Sequence, residues 1–175
     1  MEYQSDFLLV NQARNGEEDA CAALVKKYYP SIYQYCRLHI YDSYEAEDLT
    51  QEVFISFFGS LHRYREYGKV KNYLYTIAGN LVKNYYKKRK DIPIDRLPEN
   101  QDACKSDIEE IEKQREIEDA VKNLPDDIRE VAILFFFQEL KQREIADILH
   151  IKLSLVKYRL RCARDLLEEE LEVKT

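Results

Sequence analysis

The stretch Lys141-Gln142-Arg143-Glu144-Ile145-Ala146-Asp147-Ile148-Leu149-His150-Ile151-Lys152-Leu153-Ser154-Leu155-Val156-Lys157-Tyr158-Arg159-Leu160-Arg161 decides the fold class. Its spacing predicts a short helix from Lys141 to Leu149, a turn of three residues, His150 to Lys152, and a longer helix from Leu153 to Leu171. A short helix, a tight turn and a longer basic helix make a helix-turn-helix pattern. On the longer helix Val156, Leu160, Ala163 and Leu167 recur at three- and four-residue steps, so that side faces a core. Ser154, Tyr158 and Arg161 face away, Lys157 lies on the flank, and Arg159 and Arg164 emerge nearer the buried edge. Such a helix fits the major groove, where Arg or Lys donates to guanine O6 and N7 and Ser or Tyr offers one hydrogen bond. The same stripe also fits the solvated face of an ordinary bundle, and periodicity alone leaves both readings open.

Upstream, helices are predicted over Asp107 to Leu124 and Pro125 to Phe137. Pro125 suits a first-turn position, and Asp126 and Asp127 favour a helix amino end through its dipole. Before them, Asp91 to Ser106 contains Pro93, Pro98, Glu99, Asn100, Gln101 and Asp102 with little apolar periodicity. Such a stretch reads as a flexible acidic linker and a domain boundary. The expected organisation is all-α, with two small helical domains, 1–90 and 107–175, joined by the linker 91–106.

Within 1–90, helices are predicted near Asp6 to Arg14 and Glu17 to Tyr29, with Gly16 between them. Pro30 interrupts the second pattern, yet Leu24, Tyr28, Ile32, Tyr35 and Cys36 continue one stripe, so Pro30 either begins or bends a helix. A third helix, Ser43 to Leu61, buries Ala46, Leu49, Val53, Phe54 and Phe57 and presents Glu45, Asp48, Gln51 and Glu52. The polar stretch His62 to Lys69 reads as a loop. It feeds a helix from Val70 to Lys90 with Leu74, Ile77, Ala78, Leu81 and Tyr85 on its inner face. Opposite them run Asn72, Thr76, Asn80, Lys83, Lys87 and Lys90, a polar and basic stripe suited to a nucleic-acid backbone.

The formal charge of −6 hides two basic islands. Arg63 to Lys90 holds nine basic residues against one acidic, and Lys141 to Arg164 holds seven against two. Local field rather than net charge attracts phosphate, so the pattern fits two nucleic-acid surfaces in an otherwise acidic chain.

Other classes are less well served. Four glycines and four prolines, with 45% apolar residues, argue against a disordered chain or a turn-rich sheet protein. The longest apolar run, Val131 to Phe137, is far short of the roughly 20 residues of a membrane-spanning helix. The opening Met1-Glu2-Tyr3-Gln4-Ser5-Asp6 lacks the basic start and apolar stretch of a signal peptide, so a cytoplasmic protein is expected. Cys21, Cys36, Cys104 and Cys162 are scattered. Cys36 and His39 can share a helix face, but no second pair lies near them, and neither a structural metal nor a cofactor is expected. No phosphate-binding glycine loop, His/Glu metal spacing or nucleophile motif suggests an enzyme.

Ala46-Glu47-Asp48-Leu49-Thr50-Gln51-Glu52-Val53-Phe54 and Asn72-Tyr73-Leu74-Tyr75-Thr76-Ile77-Ala78-Gly79-Asn80-Leu81 resemble region 2 of the extracytoplasmic-function sigma factors of the sigma-70 family. Leu124-Pro125-Asp126-Asp127-Ile128-Arg129-Glu130-Val131, Arg143 to Leu149 and Val156 to Arg164 resemble region 4. The motifs succeed one another in the family's order and spacing over nearly the whole chain. The alternative is a stand-alone helix-turn-helix regulator, which would share the downstream half but not the upstream one.

The resemblance implies a non-catalytic initiation subunit that brings RNA polymerase core to promoters. It assigns Asp48, Leu49, Gln51 and Glu52 to core polymerase. The Tyr64 to Lys71 loop and following helix, with Tyr64, Arg65, Lys69, Lys71, Asn72, Asn80, Lys83 and Lys87, fall to the single-stranded −10 element, since strand capture needs stacking aromatics and a cationic groove. Ser154, Lys157, Tyr158, Arg159, Arg161 and Arg164 fall to the duplex −35 element. It also implies an anti-sigma partner that masks the polymerase-facing surfaces and can hold the chain near the membrane. The chain departs from the family at His150, where glycine is common in the turn, and at Lys152 and Lys141, where serine commonly caps. Leu155 replaces a common threonine and Cys162 a frequent arginine. A lysine supplies no capping acceptor and opposes the dipole, which predicts a frayed or shifted start to the last helix.

Overall fold

A computed structural model describes residues 5–40, 42–65, 69–90 and 108–173. The expected linker 91–106 and the loop residues Glu66, Tyr67 and Gly68 lie outside the described residues. The chain divides into two compact units, Met1–Asp95 and Arg96–Thr175. All regular structure among the described residues is helical.

In the first unit α1 spans Asp6–Arg14, α2 Glu18–His39, α3 Ser43–Ser60 and α4 Val70–Lys90. The Ser5 hydroxyl caps α1 by accepting from the Leu8 N–H, with Asp6 in the first turn and Arg14 in the last, charges that complement the helix dipole. Leu9, Val10 and Ala13 turn inward. Lys27 and Tyr28 of α2 both donate to the Asp6 carboxylate, at 2.6 and 2.5 Å, fastening the two helices at one end. Helix α2 runs unbroken through Pro30, which is exposed. Proline in a helix interior costs about 3 kcal/mol; the stripe of Leu24, Tyr28, Ile32 and Tyr35, buried on both sides of it, offsets that cost.

Asp42 caps α3, its carboxylate accepting from the N–H groups of Tyr44 and Glu45 at 2.8 and 3.0 Å. Ala46, Leu49, Thr50, Val53, Phe54 and Phe57 face the core, and the buried Thr50 hydroxyl is satisfied by the Ala46 carbonyl at 2.7 Å. Helix α4 is rotated relative to the expected register. Val70, Leu74, Tyr75, Ala78 and Val82 are buried, whereas Ile77, Leu81 and Tyr85 are only half-buried. Tyr75 draws the helix round, because its ring is fully buried and packs edge-on against Tyr35 of α2 at 5.4 Å.

In the second unit α5 spans Ile108–Asn123, α6 Asp126–Ala132, α7 Gln142–Leu149 and α8 Leu153–Val173. The single helix expected over Pro125 to Phe137 instead widens into a π turn at Ile133–Phe137, closed by the Gln138 N–H donating to the Ile133 carbonyl at 3.2 Å. The wider turn lets Ile133 and Leu134 both point fully inward, and it leaves Phe136 42% exposed. Leu124, Ala132 and Ala163 form a buried cluster on which Ile128 and Leu167 pack, joining α6 to α8.

Helix α7 begins with the Lys141 N–H donating to the Glu144 carboxylate at 2.8 Å, the half of a capping box that lysine can make. It ends at His150 in the left-handed conformation, φ 54° and ψ 41°. The Ala146 carbonyl accepts from both His150 and Ile151. Helix α8 starts at Leu153 without the shift that Lys152 predicted: the Lys152 carbonyl accepts from Leu155 at 2.9 Å and Val156 at 3.2 Å, so the backbone sets the first turn without a side-chain cap.

Candidate nucleic-acid interface

The exposed faces of α3 and α4 carry opposite charge. On α3, Asp48, Gln51 and Glu52 are exposed, while Leu49, expected partly behind them, is buried in the core. The apolar member of this face is Ile55, 71% exposed, with Tyr44 73% exposed at the far end. Ile55 follows Asp48 by seven residues, Gln51 by four and Glu52 by three, a spacing that places all four on one face. That spacing was the signal in the sequence.

On α4, Asn80, Lys83 and Lys87 are exposed as expected, Lys69 is exposed just before the helix and Lys71 is half-buried. Asn72 departs from the expected stripe: it is 9% exposed, because the rotation that buries Tyr75 turns it inward. Tyr64 is also buried rather than presented by the loop. Its ring lies against Tyr73 at 5.0 Å and Phe57 at 6.4 Å, and Tyr73 in turn donates to the Ser60 hydroxyl at 2.9 Å. His62, Arg63 and Arg65 remain exposed around it.

A residue that periodicity could not single out, Arg14 of α1, reaches this turn. Its Nε donates to the Leu61 carbonyl at 2.9 Å and its Nη2 to the Tyr64 carbonyl. At the far end of α4, Tyr85 donates to the Glu45 carboxylate, and Arg89 lies 3.0 Å from the same carboxylate and over the Tyr85 ring. Burial, and then the bond to Glu45, push the Tyr85 phenol up to about 12 against the opposing pull of Arg89.

In the second unit Ser154, Lys157, Tyr158, Arg161 and Arg164 are exposed on α8, while Val156, Leu160 and Ala163 are buried. The structure therefore brings these five together on the outer side of one helix. Arg159 is set apart, half-buried and ion-paired to Asp127 of α6 at 2.6 Å. A hydrogen bond with the Cys162 side chain one turn along raises the pKa of the Tyr158 phenol. Among the described residues no group of three or more His, Cys, Asp or Glu side chains is placed to hold a metal ion. No described helix is long and apolar enough to cross a membrane.

Residues 24–92 match the family model for sigma-70 region 2, and residues 114–167 match that for sigma-70 region 4. The chain is 31% identical to the ECF RNA polymerase sigma factor SigW of Bacillus subtilis over 93% of its own length and 94% of that protein. It is 27% identical to the RNA polymerase sigma-H factor of Pseudomonas aeruginosa, covering 97% and 95% of the two chains. Its fold is similar to that of CnrH, solved in complex with the cytosolic domain of CnrY, with a TM-score of 0.77 at 20% identity over 98% of this chain and all of that one. The sigma factor RpoE of Bartonella quintana, solved with the anti-sigma factor NepR, gives a TM-score of 0.72 at 20% identity over 88% of this chain and 98% of that one. With both family regions matched in order and a relative of this identity spanning nearly both chains, the protein belongs to the extracytoplasmic-function sigma factors of the sigma-70 family.

Proposed function

We propose a division of labour within this sigma factor between domains 1–90 and 107–175, with 91–106 as an acidic spacer. The first domain docks on core polymerase through Asp48, Gln51 and Glu52, with Leu49 supporting the helix from beneath. It captures the −10 strand with the 64–71 segment, joined by the exposed His62 and Arg63 just before it, and with Asn80, Lys83 and Lys87. Tyr64 and Asn72 serve that surface from the buried side. The second domain reads the −35 duplex through Ser154, Lys157, Tyr158 and Arg161, with Arg159 and Arg164 toward phosphates. The chain itself performs no bond chemistry; the polymerase core does.

The observation that carries this reading is the placement of an exposed acidic face on α3 and an exposed basic face on α4 within one small unit. A surface bearing Asp48 and Glu52 repels phosphate and suits a basic protein partner, while Lys83 and Lys87 attract phosphate. An anti-sigma partner and a cytoplasmic location complete the proposal. The partner is supported by RpoE of Bartonella quintana, which was solved with the anti-sigma factor NepR.

Run-off transcription with purified core polymerase on a library of promoter fragments tests the whole proposal. The chain should form a stoichiometric complex with core and confer promoter-specific transcripts. The double variant Lys157→Ala/Arg161→Ala should weaken promoter use while core pull-down survives; loss of core binding in that variant counts against the domain assignment. A stand-alone regulator would yield neither the complex nor the transcripts.

A further inference from the structure

Arg14 closes α1, and its guanidinium is committed to the backbone of a turn 47 and 50 residues further along the chain. The Leu61 carbonyl, which it reaches at 2.9 Å, follows the last residue of α3. The Tyr64 carbonyl lies beyond the helix altogether. One planar group, with donors in a fixed fork, therefore grips both ends of a four-residue segment. A helix cap would require only the first of these bonds. The second fixes where the chain goes after the helix.

Other contacts hold the same segment from within. The Ser60 carbonyl accepts from Arg63 at 2.9 Å and Tyr64 at 3.2 Å, and the Tyr64 ring is buried against Tyr73 and Phe57. With its backbone and one ring held, the side chains left outward are His62 and Arg63, followed by Arg65. Arg63 Nε donates to His62 Nε2 at 3.0 Å, so these two are also arranged relative to each other.

We infer that Arg14 is a positioning residue for capture of the −10 strand, holding the 61–64 turn so that His62, Arg63 and Arg65 meet the strand already in place. The inference rests on the role proposed above for this segment. Its physical basis is preorganisation: a turn ordered before binding does not pay its ordering entropy when the strand arrives. Arg14 itself need not touch nucleic acid.

The test uses the full chain with core polymerase and a promoter recovered by the run-off screen, with permanganate reactivity of unpaired thymines reporting opening. Arg14→Met keeps most of the aliphatic stem and removes the donors. Expected is a loss of about tenfold in opened fraction per bound complex, the scale of one hydrogen bond to a charged group. Core pull-down and −35 duplex binding should stay at the parent level. A merely structural Arg14 would lower core binding and opening together, through the folded fraction of the first unit, and leave opening per bound complex unchanged; that result overturns the inference. The variant Arg63→Ala/Arg65→Ala is run in parallel. An opening defect there with none in Arg14→Met overturns the role of Arg14 alone, and no defect in either overturns the role of the segment as well.

Discussion

Arg159 of α8 is ion-paired to Asp127 in the first turn of α6, with Nη2 2.6 Å from Oδ2. The arginine side chain is 17% exposed and the carboxylate 77%. The pair pins a cation at the edge of α8, and it sets a competition between that carboxylate and any phosphate that approaches.

Asp127→Asn should therefore tighten binding to a −35 duplex. The slope of log K against log salt should steepen by about 0.9, the increment for one added phosphate contact. Fluorescence anisotropy across a salt series measures both. An unchanged slope would show that Arg159 serves the fold and not the DNA. The stability cost should be small, about 0–1 kcal/mol, since the carboxylate that is changed is solvent-exposed.

Leu49 and Ile55 should separate folding from docking. Leu49→Ala opens a cavity in the first core and is expected to cost about 2–4 kcal/mol by urea denaturation. Ile55→Asp lies on the exposed face and should leave the denaturation midpoint nearly unmoved, while weakening core-polymerase pull-down. Retained pull-down with Ile55→Asp would remove that residue from the interface.

The helix-turn-helix carries correctable local costs. His150 occupies the left-handed region, where an L-residue pays roughly 1–2 kcal/mol. His150→Gly removes that strain but adds unfolded-state entropy, so the expected net gain is about 0.5–1 kcal/mol. Lys141→Ser supplies the missing acceptor opposite Glu144 and should add about 1 kcal/mol. Denaturant midpoints of the two single variants and the double variant check both values and their additivity.

Burial of Tyr75 pushes its phenol up to about 12 from 10.0, and burial of Cys36 raises its thiol to about 11 from 9.0. Both groups ionise more easily unfolded than folded, so their contribution is intact below the unfolded values and is lost as pH climbs. The thermal midpoint of the first unit should fall between about pH 9 and 12. Tyr75→Phe, whatever its effect at neutral pH, should flatten the upper part of that fall. A midpoint that does not change across this range would contradict the burial of both groups.

The helices were legible because apolar steps of three and four recur in nearly all of them, and most of their ends fall within a residue or two of expectation; α2 is the exception, running ten residues past the expected end at Tyr29 to His39. What escaped was packing between helices. Nothing local announces that Tyr75 meets Tyr35, so the rotation of α4 and the burial of Asn72 could not be read along the chain. The π turn at Ile133–Phe137 depends on which apolar residues the second core accepts, and Ile-Leu-Phe-Phe-Phe suits an ordinary helix equally well. Pro30 was ambiguous because its cost is local and the compensating stripe is not. The exposed cations of α4 and α8 were readable from charge and period together. Arg14 was not, because its partners are backbone carbonyls, which every residue carries.

Glu45 takes one positive charge out of circulation. Arg89 stands in the basic stretch that ends α4, yet it is paired with a carboxylate from α3 and seated on the Tyr85 ring. A tally of lysines and arginines along that helix therefore overstates its unpaired positive charge. Because the partnering carboxylate belongs to the helix that bears Asp48 and Glu52, the acidic face of α3 and the basic face of α4 share an ion pair.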